Sequence, residues 1–148
     1  MSEPAIEILL VEDNPDDREL ALLAFRTHNL ANAIHIATDG EEALDFLLCR
    51  GRYAGRSPVT PKVVLLDLKL PKVDGLEVLR TIRADPLLHA LPVVVLTSSL
   101  EERDVVESYR LGVNSYIAKP ISFEQFTETA RALGYYWLLL NVPPPAGA

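Results

Sequence analysis

The chain has 148 residues, of which 49% are hydrophobic and 24% are charged, and this composition is typical of one globular domain with a full core. Its formal charge of −7, with only 14 scattered basic residues, argues against a surface for nucleic acid or an anionic membrane. A single cysteine, Cys49, excludes an internal disulfide, and the sequence shows neither a signal-peptide pattern nor a membrane-spanning apolar run, so we expect a cytoplasmic protein.

Five short apolar runs alternate with amphipathic stretches, and they cover residues 6–11, 33–37, 62–67, 92–97 and 115–118. Because each run is apolar on both faces, it is typical of a parallel strand that helices cover on both sides of the sheet. Asn14 followed by Pro15 predicts a helix start, and four residue pairs have the spacing of capping boxes. These pairs are Asp39/Glu42, Asp74/Glu77, Ser99/Glu102 and Ser122/Gln125. The sequence therefore predicts an α/β fold in which five helices cover a doubly wound, five-stranded parallel sheet of strand order 2-1-3-4-5.

Two segments stand outside this alternation. Residues 49–61, which are rich in Gly, Arg and Pro, form a connection longer than the usual ~2–6 residues between a helix and a strand. Residues 135–148 are first apolar and then rich in proline. We therefore divide the chain into a globular domain over residues 1–134 and a C-terminal helix extension with a Pro-rich tail over residues 135–148.

The C-terminal segment also predicts a homodimer. Apolar residues at helical spacing form a stripe that continues through Gly134, and the residues beyond it are apolar nearly all round. One core can bury only one face of a helix, so the surplus apolar surface predicts a second copy of the chain as its partner. The alternative is a tail that folds back onto its own domain. The residues assigned to the interface are Phe126, Leu133, Tyr136, Trp137 and Leu140.

Polar residues stand where four of the predicted strands end: Glu12 and Asp13, Asp67, Thr97 and Lys119. Ligands of such sheets bind outside the carboxyl ends of the strands. One polar strand end has a simple structural explanation, because the chain emerges there into water, but five such residues at one edge indicate a site. The structural alternatives for single residues are a solvated Lys119 and a Thr97 that caps a helix.

The three carboxylates, on Glu12, Asp13 and Asp67, would repel one another unless a cation lies among them. Mg²⁺ suits them better than Zn²⁺, because the candidate ligands are oxygens and neither Cys49 nor a histidine follows a strand. The backbone carbonyl of Lys69 is a further candidate ligand. Since Mg²⁺ commonly completes its coordination with waters and phosphate oxygens, the cluster predicts a phosphate site.

Asp67 is the candidate nucleophile, because it follows the expected central strand, beside the point where the strand order reverses. A carboxylate can attack a phosphoryl donor and form an acyl phosphate. Lys119 would pair with one phosphate oxygen, and Thr97 would donate a hydrogen bond to another. The candidate catalytic residues are therefore Asp67, Thr97 and Lys119.

Four motifs that contain these residues resemble the receiver domain of two-component response regulators over residues 6 to about 134. They are LLVEDN, LLDLKLPKVDG, VVLTSS and YIAKP, in the order of the family. The resemblance implies a flavodoxin-like fold, a sensor histidine kinase that phosphorylates Asp67, and a signalling protein that catalyses only its own loading and unloading. It also implies that Thr97 and Tyr116 form a switch that remodels the face of helix 4, strand 5 and helix 5.

Two features refine this resemblance. Lys69 stands where many receivers have Asn or Met, and we expect its side chain beside the acyl phosphate, where water would approach. The 49–61 connection and the tail resemble the single-domain regulators of bacterial phytochromes. Because the tail is too short for a DNA-binding domain, we expect the signal to pass by contact with an unknown downstream protein.

Three other functions fit parts of the pattern. A phosphatase of the haloacid dehalogenase type also uses an Asp nucleophile with Mg²⁺, but it needs a second Asp where Lys69 stands. An FMN carrier needs a phosphate loop rich in Ser, Thr and Gly after strand 1, where this chain has EDNPDD. A receiver-like scaffold that works without phosphorylation is the third, and the complete set of site residues argues against it.

Overall fold

The computed structural model describes residues 7–29, 34–119, 122–134 and 142, and strands alternate with helices throughout. The strands are β1 (Ile8–Val11), β2 (Ile34–Ala37), β3 (Val63–Leu66), β4 (Val93–Thr97) and β5 (Ser115–Ala118). The helices are α1 (Pro15–Thr27), α2 (Gly40–Leu47), α3 (Gly75–Ala84), α4 (Glu102–Arg110) and α5 (Phe123–Leu133). Within these residues, none of the helices has the length and apolar character needed to cross a lipid bilayer.

The five strands form one parallel sheet in the order β2-β1-β3-β4-β5. β1 lies between β2 and β3, so that Ile8 is opposite Ile34 on one side and Val63 on the other. The strand order therefore reverses between β1 and β3, which places the carboxyl ends of these two strands at the middle of one sheet edge. This topology confirms the predicted doubly wound, flavodoxin-like α/β fold.

The core consists of two apolar layers, one on each face of the sheet. Residues of β1 alternate between them: Leu9 and Val11 pack in the layer of α2 and α3, whereas Ile8 and Leu10 pack in the layer of α1 and α5. All four side chains are at most 2% exposed. Because both faces are covered, the strands need apolar residues at every position, which is why their sequences show continuous apolar runs.

The predicted N-terminal caps of α1 and α5 are confirmed. The Asn14 side chain accepts a hydrogen bond from the backbone N–H of Asp16 at 2.8 Å, and Pro15 opens α1. Ser122 and Gln125 form a complete capping box at the start of α5. Such caps satisfy N–H groups that the first helical turn leaves without partners, and each contributes about 1 kcal/mol.

The start of α4 differs from the prediction. Its cap position is Glu101, which makes no capping hydrogen bond through its side chain. Ser99, the predicted cap, instead donates its hydroxyl to the Asp104 carboxylate at 2.5 Å. Asp104 is buried, and a buried carboxylate requires hydrogen-bond donors more strongly than an exposed helix end does.

Phe126 belongs to the core of its own chain, which corrects its assignment to a dimer interface. Its side chain is 2% exposed and packs edge-to-face against Phe25 of α1, with ring centroids 6.2 Å apart. Leu133 is half-buried against the same layer. Gly134 keeps helical dihedral angles, with φ −61° and ψ −48°. The remaining residues assigned to the interface lie outside the described part of the chain: Tyr136, Trp137 and Leu140.

The long connection at residues 49–61 packs against β2, the strand at one edge of the sheet. Its short 3-10 helix places the Tyr53 hydroxyl 3.0 Å from Nε2 of His35 on β2. The His35 ring stacks on Phe46 of α2, with centroids 4.1 Å apart, and the Arg56 guanidinium lies 3.9 Å from the Phe46 centroid. The connection is therefore an ordered part of the fold that covers a sheet edge.

Candidate functional site

The carboxyl ends of β1 and β3 bring three acids together at the middle of the sheet. Glu12 follows β1 and Asp67 follows β3, and these residues are only 2% and 6% exposed. The Asp67 backbone N–H donates to the Val11 carbonyl at 3.1 Å, which extends the pairing of the two strands to the site. Asp13 is more exposed, and one carboxylate oxygen from each of the three acids lies within 4.8 Å of the other two. We call these three residues the acidic cluster.

The Lys119 ammonium contacts the acidic cluster from β5. Its Nζ lies 2.5 Å from Oε1 of Glu12, 2.7 Å from Oδ2 of Asp17 and 3.1 Å from Oδ2 of Asp67. Its backbone N–H donates to the Thr97 carbonyl at 2.8 Å, as β5 runs beside β4. The Lys119 side chain is only 12% exposed. It is therefore a largely buried counterion of the carboxylates and not a solvated surface lysine.

Asp17 is a contact of Lys119 that was not predicted from the sequence. It lies in the first turn of α1, which begins directly after the end of β1. The segment EDNPDD contained a signal for it, because side chains in the first turn of a helix point back toward its N-terminus. A helix that begins at Pro15 therefore directs a first-turn acid toward the strand end that it follows.

Burial and crowding change the proton affinity of this site. The pKa of Glu12 is raised to about 7, first because burial disfavours the charged form, while the hydrogen bond from Lys119 opposes the rise and the nearby Asp67 carboxylate adds to it. Burial acts to lower the pKa of Lys119, but hydrogen bonds to Asp17 and Glu12 outweigh it, so this pKa is raised and the ammonium stays charged. Three carboxylates, those of Glu12, Asp17 and Asp67, therefore share the single positive charge of Lys119.

The donor set fits a hard divalent cation. The acidic cluster offers one carboxylate oxygen from each of its three residues. The Lys119 ammonium contacts two of these residues, Glu12 and Asp67. Oxygen ligands of this kind suit Mg²⁺, which usually takes one or two carboxylates and keeps several waters. Lys69 adjoins the cluster through its backbone, because its N–H donates to Oδ1 of Asp67 at 3.2 Å.

The start of α3 holds the loop that presents Asp67. The Gly75 N–H donates to the Leu68 carbonyl at 2.9 Å, and the Asp74 carboxylate caps the helix at the Leu76 N–H. A Cβ atom at Gly75 would lie 2.3 Å from the Asp67 carbonyl oxygen and 2.5 Å from the Leu68 Cα, so a larger residue does not fit here. This close approach of two backbone segments fixes the direction in which the Asp67 carboxylate emerges.

Thr97 and Tyr116, the two predicted switch residues, both contact Ser99. Thr97 is fully buried, and its Oγ1 accepts a hydrogen bond from the Ser99 N–H at 3.3 Å. The Tyr116 hydroxyl donates to the Ser99 carbonyl at 2.8 Å, and its side chain is half-buried. Because the cap position of α4 is Glu101, Thr97 is not the cap of that helix.

The Lys69 side chain turns toward α4 and not toward Asp67, beside which it was predicted to lie. Its Nζ lies 3.3 Å from Oδ2 of Asp104, and half of the side chain is exposed. Asp104 is 4% exposed and also accepts the Ser99 hydroxyl hydrogen bond. A buried carboxylate attracts a nearby flexible cation strongly, which accounts for the direction of Lys69. The sequence held no distinct signal for Asp104, because it is one of several charged residues in α4.

Comparison with known proteins identifies the family. Residues 8–131 match the response regulator receiver domain. The chain is 45% identical over 144 residues to the probable methanogenesis regulatory protein FilR2 of Methanothrix harundinacea, and the match covers 97% of this chain and 90% of that protein. It is 41% identical over 145 residues to the response regulator Rcp1 of Synechocystis sp., and the match covers 98% of this chain and 97% of that protein.

Solved structures of similar proteins share this architecture. The phosphorylated cyanobacterial phytochrome response regulator RcpA has a TM-score of 0.84 and 39% identity, and the match covers 95% of this chain and 99% of RcpA. The Mn²⁺-bound form of Rcp1 has a TM-score of 0.82 and 38% identity, with coverage of 95% and 99%. The bacteriophytochrome response regulator AtBRR has a TM-score of 0.74 and 54% identity, with coverage of 94% and 99%. With its strand-end acids and lysine arranged as described, the chain belongs to the response regulator receiver domain family and is related to phytochrome response regulators.

Proposed function

We propose that this protein is a response regulator that accepts a phosphoryl group on Asp67 from a sensor histidine kinase and signals by protein contact. The supporting observation is the meeting of Asp67 with Glu12, Asp13 and Lys119 at the carboxyl ends of β1, β3 and β5. The site combines a candidate nucleophile, acids suited to a divalent cation and a buried ammonium. These are the parts that phosphoryl transfer to an aspartate uses.

In the proposed reaction, a carboxylate oxygen of Asp67 attacks the phosphorus of a phosphohistidine. The O–P bond forms as the P–N bond breaks, and the imidazole nitrogen leaves with the electron pair of the broken bond. Lys119 already lies 3.1 Å from Oδ2 of Asp67, so its ammonium can pair with a phosphoryl oxygen after a small movement. Oγ1 of Thr97 accepts its hydrogen bond from Ser99, so its own proton is available for a second phosphoryl oxygen.

The same residues would hold a magnesium ion. Glu12, Asp13 and Asp67 would supply carboxylate oxygens, and the Lys69 carbonyl would supply a further ligand. When bound, the ion would neutralise charge on the phosphoryl oxygens. The solved structure of the Mn²⁺-bound form of Rcp1, at 38% identity to this chain, supports the binding of a divalent cation.

Intact mass spectrometry after incubation with acetyl phosphate and Mg²⁺ tests the proposal. We expect one added phosphoryl group on the wild-type protein and none on Asp67→Asn. Asp16→Asn is the matched control, because Asp16 is an exposed acid of the same segment, and it should be labelled as the wild type is. Labelling that survives Asp67→Asn or excess chelator would contradict the assignment.

The same samples separate the proposal from its alternatives. A scaffold that works without phosphorylation predicts no label on the wild-type protein. A haloacid dehalogenase-type phosphatase predicts many turnovers of a phosphomonoester such as p-nitrophenyl phosphate, and these turnovers would be lost in Asp67→Asn. Autocatalytic loading and unloading of a response regulator predicts a label together with slow release of phosphate, limited by hydrolysis of the acyl phosphate.

We further propose that the kinase is a bacteriophytochrome and that the transfer takes place in the cytoplasm. The phytochrome regulators RcpA and AtBRR, at 39% and 54% identity, match nearly the whole chain and support this partner. A purified bacteriophytochrome kinase that carries radiolabelled phosphohistidine should transfer its label to the wild-type protein and not to Asp67→Asn. Equal or faster transfer from a histidine kinase without a phytochrome input would contradict the choice of partner.

The homodimer stays a proposal that depends on the C-terminal segment. It is supported by the apolar sequence of residues 135–140 and by Leu133, which is half-buried at the end of α5. Light scattering should show a dimer for the full chain at tens of micromolar and a monomer for a version that ends at Gly134. A full-length monomer, or a shortened form that remains dimeric, would exclude a dimer held by this segment.

A further inference from the structure

A buried carboxylate next to the site is not used by the proposed phosphoryl transfer. Asp104, in the first turn of α4, is 4% exposed, and its Oδ2 contacts both Lys69 Nζ at 3.3 Å and Ser99 Oγ at 2.5 Å. It forms one wall of an open cleft of about 420 Å³ between α3 and α4. A buried charge needs a stable set of partners, so the choice of Lys69 as its cation requires an explanation.

Neighbouring cations in the cleft have carboxylate partners of their own. Arg103 pairs with Glu101 at 2.8 Å, and Arg80 pairs with Glu107 at 3.8 Å. Lys69, in contrast, forms its ion pair with Asp104. The two charges support each other: the Ser99 hydroxyl and then Lys69 lower the pKa of Asp104, and the hydrogen bond to Asp104 raises the pKa of Lys69.

Lys69 is also tethered beside the proposed phosphoryl acceptor. Its backbone N–H donates to Oδ1 of Asp67 at 3.2 Å, while its side chain is half-exposed and reaches away to α4. A phosphoryl group on Asp67 would add a charge of about −1.5 to −2 within reach of this flexible four-carbon stem. The Lys69 ammonium then has two competing partners, the phosphoryl group and Asp104.

We propose that Asp104 is a positioning residue that competes with the phosphoryl group on Asp67 for the Lys69 ammonium, and thereby sets the lifetime of the acyl phosphate. The inference rests on the proposed phosphorylation of Asp67. In hydrolysis, a water oxygen attacks the phosphorus, the bond to the Asp67 oxygen breaks, and inorganic phosphate leaves as the carboxylate is restored. Lys69 covers the phosphorus when it pairs with the phosphoryl group, and it leaves the phosphorus open to water when Asp104 holds it.

The competition also links the site to the face formed by α4 and β5. When Lys69 leaves, Asp104 keeps only the Ser99 hydroxyl of these two contacts, and the Ser99 carbonyl is the acceptor for the Tyr116 hydroxyl at 2.8 Å. Removal of the cation from a buried carboxylate weakens the packing of the helix that bears it. Loading of Asp67 therefore loosens α4 through Lys69, as well as through any movement of Thr97.

A double-mutant cycle tests the competition. The half-life of the acyl phosphate is measured after loading with acetyl phosphate and Mg²⁺ in the wild type, Lys69→Ala, Asp104→Asn and the double variant. Lys69→Ala should shorten the half-life, because water then reaches the phosphorus freely. Asp104→Asn should lengthen it by about threefold or more, the lower range of coupling between contacting residues, and should have no effect in the Lys69→Ala background.

Glu107→Gln is the matched control, because Glu107 lies in the same cleft and pairs with Arg80 instead of Lys69. It should leave the half-life unchanged. No lengthening in Asp104→Asn, or equal lengthening with and without Lys69, overturns the inference. If the wild-type protein takes up no phosphoryl group, the proposed function itself fails. If it is labelled normally but Lys69 and Asp104 show no coupling in the half-life, only the inference about Asp104 fails.

A second measurement covers the case in which Asp104→Asn does not fold. Lys69 is half-exposed, so Lys69→Ala should fold, and amide hydrogen exchange in α4 is measured in it and in the wild type. Exchange should accelerate on loading in the wild type and should already be fast in unloaded Lys69→Ala. Exchange that is equally slow in unloaded wild type and unloaded Lys69→Ala contradicts the proposed competition.

Discussion

The Nζ atom of Lys119 lies 2.5 Å from Oε1 of Glu12 and 3.1 Å from Oδ2 of Asp67, so one ammonium contacts two buried carboxylates that follow different strands. The contact joins the ends of β1, β3 and β5. Lys119 therefore stabilises the fold and also takes part in the proposed reaction. Experiments can separate these two roles.

Lys119→Met should lower the free energy of unfolding by about 3 kcal/mol in chelator, because loss of one partner leaves buried charges unpaired. Urea denaturation at neutral pH measures the effect. Arg103→Met is the control, because the Arg103 side chain is 82% exposed, and it should cost less than about 1 kcal/mol. Asp67→Asn added to Lys119→Met should restore part of the stability. A double variant less stable than Lys119→Met would contradict charge repulsion as the cause.

Gly75→Ala should destabilise the protein by about 1–3 kcal/mol, because its Cβ would lie 2.3 Å from the Asp67 carbonyl oxygen and one of the two backbone segments must move. The same shift should slow labelling of Asp67 by acetyl phosphate. Gly55→Ala is the matched control, since no atom beyond Gly55 and its two chain neighbours lies within 4 Å of a Cβ placed there. Equal stability of the two variants would show that the approach of α3 to the loop is not tight.

Arg83 is a structural residue that joins α3 to two loops. Its guanidinium donates to four backbone carbonyls at 2.6–3.0 Å, those of His89, Leu91, Leu111 and Gly112. Arg83→Lys keeps the charge but loses the planar fork, so we expect a loss of about 2 kcal/mol in urea denaturation. Arg110→Lys, at an exposed position, should change stability by less than about 0.5 kcal/mol. Similar losses in both variants would mean that the fork geometry is unimportant.

His35 makes the stability of the fold depend on pH. Burial lowers its pKa from the ordinary value of 6.5, and the nearby Arg56 and Arg52 lower it further. Its Nε2 faces the Tyr53 hydroxyl, which in turn donates to the Glu42 carboxylate. The unfolded chain binds a proton on His35 more tightly than the folded protein does. The contribution of neutral His35 to the free energy of unfolding is therefore fully present above pH 6.5 and is lost as the pH falls from 6.5 toward the folded-state pKa.

Between about pH 7 and about pH 5.5 the raised pKa of Glu12 adds stability as the pH falls, whereas the lowered pKa of His35 removes it. In urea denaturation, His35→Gln should therefore lose less stability, or gain more, than the wild type as the pH falls through this range. His89→Gln, at an exposed position on the loop before β4, serves as the control and should keep the wild-type slope. If His35→Gln and the wild type share one slope over this range, the pH dependence arises from other groups.

The fold and the set of polar residues at the strand ends follow from the sequence alone. Alternating apolar runs and capping residues predict parallel strands covered by helices, and the carboxyl ends of parallel strands share one edge. Glu12, Asp13, Asp67 and Lys119 therefore had to meet wherever the strands paired in the expected order. Their positions follow from the backbone alone, which local sequence patterns specify.

The partners of the polar side chains depend on how the helices and strands pack together, and local sequence patterns do not specify them. Lys69 pairs with Asp104, Ser99 hydrogen-bonds the same carboxylate instead of capping α4, and Asp17 joins Lys119. Phe126 likewise belongs to the core because α1 packs Phe25 against it. A side chain turns toward the nearest group that satisfies its charge or buries its apolar surface. That group lies on another element, and its distance is set only when the elements pack together.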